Sequence, residues 1–231
     1  MAQLVDFSQI FIGSYMTASK FATVDMDVIR PAVLNTLRMY RTKFVSEFGE
    51  LILCCDDRKT WRKDIFPNYK ASRKKTRAST SVDWDNLYES LNQLKEELIE
   101  WFPYKLVQVE KAEADDIIAV LVELINERSL ILSSDKDFVQ LHGFNVRQYS
   151  PMQKKFVEGD AKWNLHEKII KGDVGDGVPN IMSDDNVFID EGRRQKPITK
   201  KKVDAWYELD PDMYCSSEML RNYNRNKQLV D

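Results

Sequence analysis

The sequence predicts an α/β fold built on a mainly parallel sheet, and three patterns support this prediction. Short apolar runs of strand length, such as 51–55 and 130–132, alternate along the chain with longer amphipathic segments. Parallel strands need crossovers between them, so this alternation is typical of a sheet covered by helices on both faces. After about Gly159 the pattern becomes helical and highly charged, which predicts a smaller second unit. A chain of 231 residues has room for both.

The predicted elements follow from local patterns. Leu4 and Val5 form a short strand that ends at Asp6, after which Ser8 can cap a turn of helix. A longer helix carries an apolar stripe from Ile29 to Phe48 and ends at Gly49, and residues 60–81 show no clear period. The other predicted elements are strands over 51–55, 106–109, 130–132 and 146–149 and helices over 82–102 and 113–126.

The composition excludes several classes of protein. With 43% hydrophobic and 31% charged residues, the chain is typical of a globular protein. Its longest apolar run, 117–122, is far shorter than the ~18 residues that a membrane helix needs. Three cysteines, two of them adjacent, predict a reducing cytoplasmic setting. Two histidines and no Cys-x-x-Cys motif argue against zinc, so any metal would be held by oxygen.

Acidic residues gather where the predicted strands end. Asp6, Asp56 and Asp135 follow strands, and ligands of open parallel sheets bind beyond the carboxyl ends of the strands. Further acids begin the helix after the 106–109 strand, follow Asp135, or lie in a Gly-rich turn: Glu113, Asp115, Asp116, Asp137, Asp173 and Asp176. Taken singly, each has a structural explanation as a helix cap or turn residue. Together they repel one another and need a cation, for which Mg²⁺ or Mn²⁺ is suited.

Five ordered motifs resemble those of the flap endonuclease, or structure-specific 5′ nuclease, family. The resemblance is strongest to the family members from T-even bacteriophages. The motifs are Leu4–Ser8, Leu53–Asp56, Glu113–Ala119, Ser133–Phe138 and Gly172–Asp176, and the likeness extends to 149–155 and 183–206. The resemblance implies a PIN-like sheet followed by an incomplete, helix-hairpin-helix-like helical unit. It places a nuclease domain at 1–159, with an arch or clamp at 58–81, and a duplex-binding unit at 160–231.

The resemblance also implies an activity. The expected protein is a divalent-metal-dependent 5′ to 3′ exonuclease and flap endonuclease that removes RNA primers and 5′ flaps during DNA replication. Two Mg²⁺ ions are expected, with Mn²⁺ able to substitute. By the family pattern the first ion is held by Asp56, Glu113 and Asp115, with Asp6 acting partly through water. The second is held by Asp135, Asp137 and Asp176, supported by Asp116 and Asp173. Which of Asp115 and Asp116 is the closer metal ligand stays open.

Basic residues are segregated from these acids. Between Arg58 and Arg77 there are nine basic residues against one acid, Asp64. Aromatic residues among them suit single-stranded nucleic acid, although a solvated, mobile loop is the alternative. Lys70 and Arg73, three apart, are expected to share a helix face toward the metals and to steady the reacting phosphate. The expected nucleic-acid contacts are Arg62, Tyr69, Lys74, Lys75, Arg77, Lys200, Lys201 and Lys202.

The second basic run predicts a helix start with Thr199 near the cap, with a plain charged helix as the alternative. Residues 180–185 depart from the Gly-rich hairpin of most relatives, which argues against a potassium site there. The chain also ends earlier than the family pattern, so a part that contacts replication proteins is expected to be absent.

The expected partners are DNA and RNA–DNA hybrids with a 5′ end or flap, bound by a monomer. Leaving out the nine expected ligand carboxylates turns the net charge of −3 into +6, which suits a phosphate-binding protein. Two other functions stay open at the sequence level. One is a catalytically inactive nucleic-acid-binding scaffold, and the other is a PIN-type single-strand ribonuclease.

Overall fold

The chain folds into two compact units. The computed structural model describes residues 1–20, 24–143 and 145–231. The first unit contains residues 1–60 and 82–159, and the second contains 61–81 and 160–231. The basic segment 61–81 therefore packs with the C-terminal residues. The functional domains expected at 1–159 and 160–231 stay a prediction, because compactness alone does not assign a function.

Six strands form one sheet in the first unit. They are β1 (Ala2–Asp6), β2 (Leu51–Cys55), β3 (Lys105–Gln108), β4 (Ser129–Leu132), β5 (Val146–Ser150) and β6 (Lys155–Val157). Their order is β3-β2-β1-β4-β5-β6, with every neighbouring pair parallel except β5 and β6. In this register Val5 lies opposite both Leu53 and Leu132. The mainly parallel sheet predicted from the sequence is confirmed.

Nine α-helices lie within the described residues. They are α1 (Phe7–Ala18), α2 (Met26–Phe48), α3 (Arg62–Ile65), α4 (Ser72–Ala78), α5 (Trp84–Trp101), α6 (Ala114–Ile125), α7 (Ala161–Lys171), α8 (Lys200–Trp206) and α9 (Ser217–Val230). Short 3₁₀ helices at Lys136–Leu141 and Pro211–Met213 complete the described helical structure. None of these helices is long and apolar enough to cross a membrane.

Helices cover both faces of the sheet because successive strand residues point to opposite sides. Val5 and Leu53 pack into a core with α1, α2 and α5. Leu4 and Cys54 pack into a second core with α6 on the other face. Burial of both faces explains why these strands appear in the sequence as continuous apolar runs.

Helix α1 begins two residues earlier than the sequence predicts. Asp6 is its N-cap, and the carboxylate accepts the backbone N–H of Gln9 at 3.1 Å. The expected cap at Ser8 is wrong, because β1 runs directly into the helix and places Ser8 inside the first turn. The last strand residue and the helix cap are therefore the same carboxylate.

Helix α9 holds the loop that follows Val178 in the second unit. Its buried Asn226 donates from the side-chain amide to the carbonyl oxygens of Ile169 and Pro179, at 2.8 and 2.9 Å. One turn earlier Asn222 donates to the carbonyl oxygen of Ile181 at 3.0 Å. Side-chain amides thus donate hydrogen bonds to buried backbone carbonyl oxygens, which need a partner when they are buried.

Candidate active site

Three predicted site residues meet at the carboxyl edge of the sheet in the first unit. Asp6 ends β1, Asp56 follows β2, and Asp135 lies just after β4. Strand β1 lies between β2 and β4, and these three strands run parallel, so their carboxyl ends share one edge. The strand order reverses at β1, and such a switch point is where open α/β sheets bind ligands. The sequence analysis predicted this gathering.

The carboxylate of Asp6 is buried and electrostatically strained. One oxygen accepts the N–H of Gln9, and the other accepts the hydroxyl of Ser133 at 3.2 Å. Burial, then the negative charge of Asp56, and then that of Asp135 raise the pKa of Asp6 to about 7, and the two hydrogen bonds only partly offset this rise. The three carboxylates are therefore close enough to repel one another.

Backbone groups orient the other two carboxylates. Asp56 accepts the N–H of Ala114, the first residue of α6, at 2.8 Å. Asp135 accepts the N–H of Asp137 at 3.0 Å and caps the 3₁₀ helix that follows it. In each case one oxygen has a fixed donor, so these backbone contacts set the direction of the carboxylate.

Gln148 is a site residue that the sequence analysis missed. Its side chain is fully buried, and its amide donates to the carbonyl oxygens of Ser133 and Asp135. The amide therefore holds the turn that presents Asp135. Strand β5 also carries Arg147 and Ser150, so its sequence contained no signal that the amide of Gln148 is buried.

The start of α6 brings further acids to this end of the unit. Glu113 is the buried N-cap, and Asp116 completes a capping box by accepting the N–H of Glu113 at 2.8 Å. Asp115 lies between them in the first turn. Acids at a helix N-terminus are stabilised by its partial positive charge, which explains how several can coexist here.

The acids at the strand ends have an unmet need for positive charge. Throughout residues 1–20, 24–143 and 145–231, no lysine or arginine forms an ion pair with Asp6, Asp56 or Asp135. In the same described ranges, no three acidic, histidine or cysteine side chains converge tightly enough to form a preassembled metal site. An all-oxygen donor set of this kind fits a hard divalent ion.

The two predicted ligand acids of the second unit, Asp173 and Asp176, already have cationic partners. Asp173 pairs with Lys168. Burial alone would raise the pKa of Asp173, but the hydrogen bond and charge of Lys168, together with the backbone N–H groups of Asp176 and Gly175, lower it. Asp176 accepts the hydroxyl of Tyr69 at 2.7 Å and a guanidinium N–H of Arg73 at 2.5 Å, with the ammonium of Lys70 at 3.7 Å.

The basic segment differs from its expected geometry. Helix α4 begins at Ser72, whereas Lys70 lies before it with a left-handed φ of 56°, so Lys70 and Arg73 do not share a helix face. Both nevertheless reach Asp176. Arg62 is buried rather than presented to solvent, and its guanidinium donates to the carbonyl oxygen of Leu229 at 2.7 Å.

Tyr69 is also buried, with 3% of its surface exposed. This burial is at odds with the expected stacking of bases on its ring. The remaining basic candidates are accessible: Arg77 is half-buried, and Lys74, Lys75, Lys200, Lys201 and Lys202 are exposed. Thr199 caps α8 as the sequence predicts, by accepting the N–H of Lys202.

A mainly parallel sheet with Asp6, Asp56 and Asp135 at its switch point is typical of α/β proteins that bind a ligand at this edge, and carboxylates there suit a cation. The comparisons are more specific. The family described as 5′-3′ exonuclease, N-terminal resolvase-like domain matches residues 1–169. The chain therefore belongs to the 5′-3′ exonuclease family, which consists of nucleases and includes flap endonucleases.

Individual relatives agree with this assignment. Ribonuclease H of Enterobacteria phage T4 is 35% identical over 216 residues, which are 87% of this chain and 70% of the T4 protein. Flap endonuclease Xni of Psychromonas ingrahamii is 31% identical over 113 residues, or 48% of this chain and 39% of that protein.

A solved structure has the same fold. The flap endonuclease of bacteriophage T5, determined with DNA and metal ions, superposes with a TM-score of 0.74. The alignment covers 100% of this chain and 88% of the T5 chain, at 20% identity. The fold-level prediction of a PIN-like sheet with a helical C-terminal part is thereby confirmed.

Proposed function

We propose that this chain is a divalent-metal-dependent 5′ nuclease that hydrolyses phosphodiester bonds at 5′ ends and 5′ flaps, including RNA primers. One observation carries the proposal. Asp6, Asp56 and Asp135 share the carboxyl edge of the sheet without an ion-pair partner among the described residues, and burial together with the charges of Asp56 and Asp135 raises the pKa of Asp6. A catalytically inactive scaffold would have no need for this electrostatic cost.

The proposed metal is Mg²⁺, as two ions, with Mn²⁺ able to substitute. In the first unit the proposed ligands are Asp6, Asp56, Glu113, Asp115, Asp135 and Asp137. Asp116 is assigned a supporting role because its carboxylate already serves the capping box, which favours Asp115 as the closer ligand. The family resemblance adds Asp176, supported by Asp173. Such ions supply an activated water and neutralise charge on the leaving oxygen.

The protein's own residues orient these carboxylates. Ser133 donates to Asp6, and Gln148 holds the turn at Asp135. Lys70 and Arg73 are proposed to hold the reacting phosphate. Support comes from their present acceptor, the carboxylate of Asp176, whose oxygens resemble those of a phosphate in charge and hydrogen bonding.

The proposed substrates are DNA and RNA–DNA hybrids with a free 5′ end, bound by a monomer. The exposed lysines Lys74, Lys75, Lys200, Lys201 and Lys202, together with Arg77, would contact the phosphate backbone. Such contacts make affinity depend steeply on salt and carry no sequence preference.

A cleavage assay on three end-labelled substrates tests the proposal. The substrates are a 5′-flap duplex, an RNA primer annealed to DNA, and single-stranded RNA, each incubated with Mg²⁺ or with a chelator. We expect Mg²⁺-dependent cleavage of the first two near the 5′ junction. Binding without cleavage would support the inactive scaffold, and cleavage of single-stranded RNA alone would support the PIN-type ribonuclease.

A further inference from the structure

In the first unit, Asp57 joins the end of β2 to the loop 109–113, which leads into α6. One carboxylate oxygen of Asp57 accepts the backbone N–H of Lys111 at 2.8 Å. The backbone N–H of Asp57 donates to the carbonyl oxygen of Ala112 at 2.9 Å. The side chain and the main chain of Asp57 therefore hold the same loop.

The second carboxylate oxygen of Asp57 contacts the neighbouring strand. It accepts the side-chain amide of Gln108 at 3.3 Å. Gln108 is the last residue of β3 and lies opposite Cys55, the last residue of β2. A single carboxylate thus links the ends of two parallel strands with the loop that follows one of them.

The loop needs such a contact because of its backbone conformation. Lys111 adopts a left-handed φ of 61°, which costs a non-glycine residue free energy and persists only where surrounding contacts hold it. The N–H of this residue is the group that Asp57 accepts. Beside it, the N–H of Ala112 donates to the carbonyl oxygen of Val109 at 3.1 Å and closes the turn.

The loop ends at the group that orients Asp56. Ala114, the first residue of α6, donates its backbone N–H to the carboxylate of Asp56 at 2.8 Å. Only Glu113 separates Ala114 from Ala112, the residue whose carbonyl oxygen Asp57 holds. A shift of the loop would therefore displace the N–H that sets the direction of the Asp56 carboxylate.

We infer that Asp57 is a positioning residue that holds the loop 109–113, so that the N–H of Ala114 orients Asp56 for metal binding. The inference rests on the proposed function, in which Asp56 is a metal ligand. Among the described residues, no lysine or arginine forms an ion pair with Asp56. Residues that hold a ligand in its direction affect metal affinity although they do not touch the metal.

Two variants separate positioning from a role of the charge. Asp57→Asn removes the charge of Asp57 and keeps an oxygen that can accept the N–H of Lys111. Asp57→Ala removes both the charge and the acceptor. A positioning role predicts that only Asp57→Ala weakens metal binding. If Asp57 were itself a ligand or attracted the ion by its charge, both variants would weaken it.

The measurement is a calorimetric titration of the full chain with Mn²⁺ in the absence of nucleic acid. We expect Asp57→Ala to bind Mn²⁺ about 10-fold more weakly or worse, and Asp57→Asn to bind it nearly as tightly as the unmodified chain. The matched control is Glu123→Ala, which removes an exposed carboxylate near the end of α6. The control should bind Mn²⁺ normally, and circular dichroism verifies that each variant is folded.

A further variant keeps the test decisive if Asp57→Ala does not fold. Asp57→Ser stays polar at this half-buried position, and its hydroxyl ends one bond short of the carboxylate oxygens, so it should also weaken Mn²⁺ binding. Unchanged Mn²⁺ affinity in the folded alanine or serine variant, or an equal loss in Asp57→Asn, would overturn the inference. Mn²⁺ binding by the unmodified chain is scored first, because its absence would refute the proposed metal-dependent function and the inference with it.

Discussion

The carboxylate of Asp6 caps helix α1 and is repelled by Asp56 and Asp135. The cap requires only a side-chain oxygen, which asparagine also supplies. The repulsion requires the charge. A substitution that keeps the oxygen and removes the charge therefore separates the structural role of this residue from its proposed role in metal binding.

The variant Asp6→Asn should make the metal-free protein more stable near neutral pH and should weaken metal binding. The expected gain is on the order of a few kcal/mol, since each unit of pKa shift corresponds to about 1.4 kcal/mol. Urea denaturation of both proteins in a chelator measures it. A loss of stability in Asp6→Asn would show that the charge of Asp6 is not strained.

The pH dependence has a defined sign. The pKa of Asp6 is raised from 3.8 to about 7, so the protonated form suits the folded state. The stability from this group is complete below about pH 4 and is lost as the pH rises through about 7. The metal-free chain should lose stability over this window, and Asp6→Asn should flatten that part of the profile.

Lys70 and Arg73 provide a second residue-scale prediction. If both hold the reacting phosphate, changing either to alanine should lower the saturated single-turnover rate by about 100-fold or more, with a smaller effect on affinity. Lys74→Ala is the control, because Lys74 is the exposed neighbour of Arg73 in α4. If all three variants weaken binding alike and leave the rate unchanged, the segment is only an electrostatic tether.

The sequence predicted the acids at the strand ends but not their neighbours. Asp6, Asp56 and Asp135 could be located because strand ends of a parallel sheet meet at one edge. Gln148 could not, since a buried amide looks like a surface one in sequence. Arg62 and Tyr69 were expected to contact nucleic acid because of their residue types. The sequence does not show that both side chains are buried.

At the scale of elements, the turn formed by residues 172–178 depends on a glycine. Gly172 has a φ of +65°, and a Cβ atom there would lie 2.2 Å from the carbonyl oxygen of Val178. Gly192 has a φ of +77° with nothing within 4 Å of its Cβ position. The two glycines therefore share the conformational requirement and differ in their surroundings.

Replacing each glycine with alanine should give unequal losses of stability. Gly192→Ala should cost about 1–2 kcal/mol for the left-handed backbone alone. Gly172→Ala should cost at least about 2 kcal/mol more, because the clash is with main-chain atoms. Thermal unfolding measures both, and equal losses would mean that the turn at Gly172 can open without penalty.

The amides of α9 give a second prediction at this scale. Asn226→Ala would remove the side-chain donor of the Ile169 carbonyl and leave that of Pro179 with only the guanidinium of Arg225, at a cost of about 1–3 kcal/mol. Asn224→Ala, exposed on the same helix, should be nearly neutral. Denaturant unfolding compares the two, and a neutral Asn226→Ala would exclude this anchoring role.

Elements were predictable where apolar periodicity was strong. The stripe from Ile29 to Phe48 predicted α2 and its end at Gly49 correctly. Strand β6 has only three residues, and helix α4 has no buried side chain. Neither element therefore shows an apolar period in the sequence.

At the scale of the whole molecule, the segregated charge reconciles a net charge of −3 with membership of a nuclease family. The unpaired acids lie at the sheet edge of the first unit, while exposed lysines occur in α4 and α8 of the second. Bound divalent ions would offset the acids and leave the basic segments free to attract phosphates. The sequence predicted this separation of charge but not the grouping of 61–81 with the C-terminal residues, which depends on long-range packing.

The central claim is that the acids at the sheet edge make this chain a metal-dependent 5′ nuclease. The most direct test is the single-turnover rate of 5′-flap cleavage in Mg²⁺ for the unmodified chain, Asp135→Asn and the exposed-acid control Glu100→Gln. We predict cleavage by the unmodified chain and the control and its abolition in Asp135→Asn, with the fold of all three intact. Near-normal turnover in purified Asp135→Asn, or no cleavage by the unmodified chain, would contradict the claim.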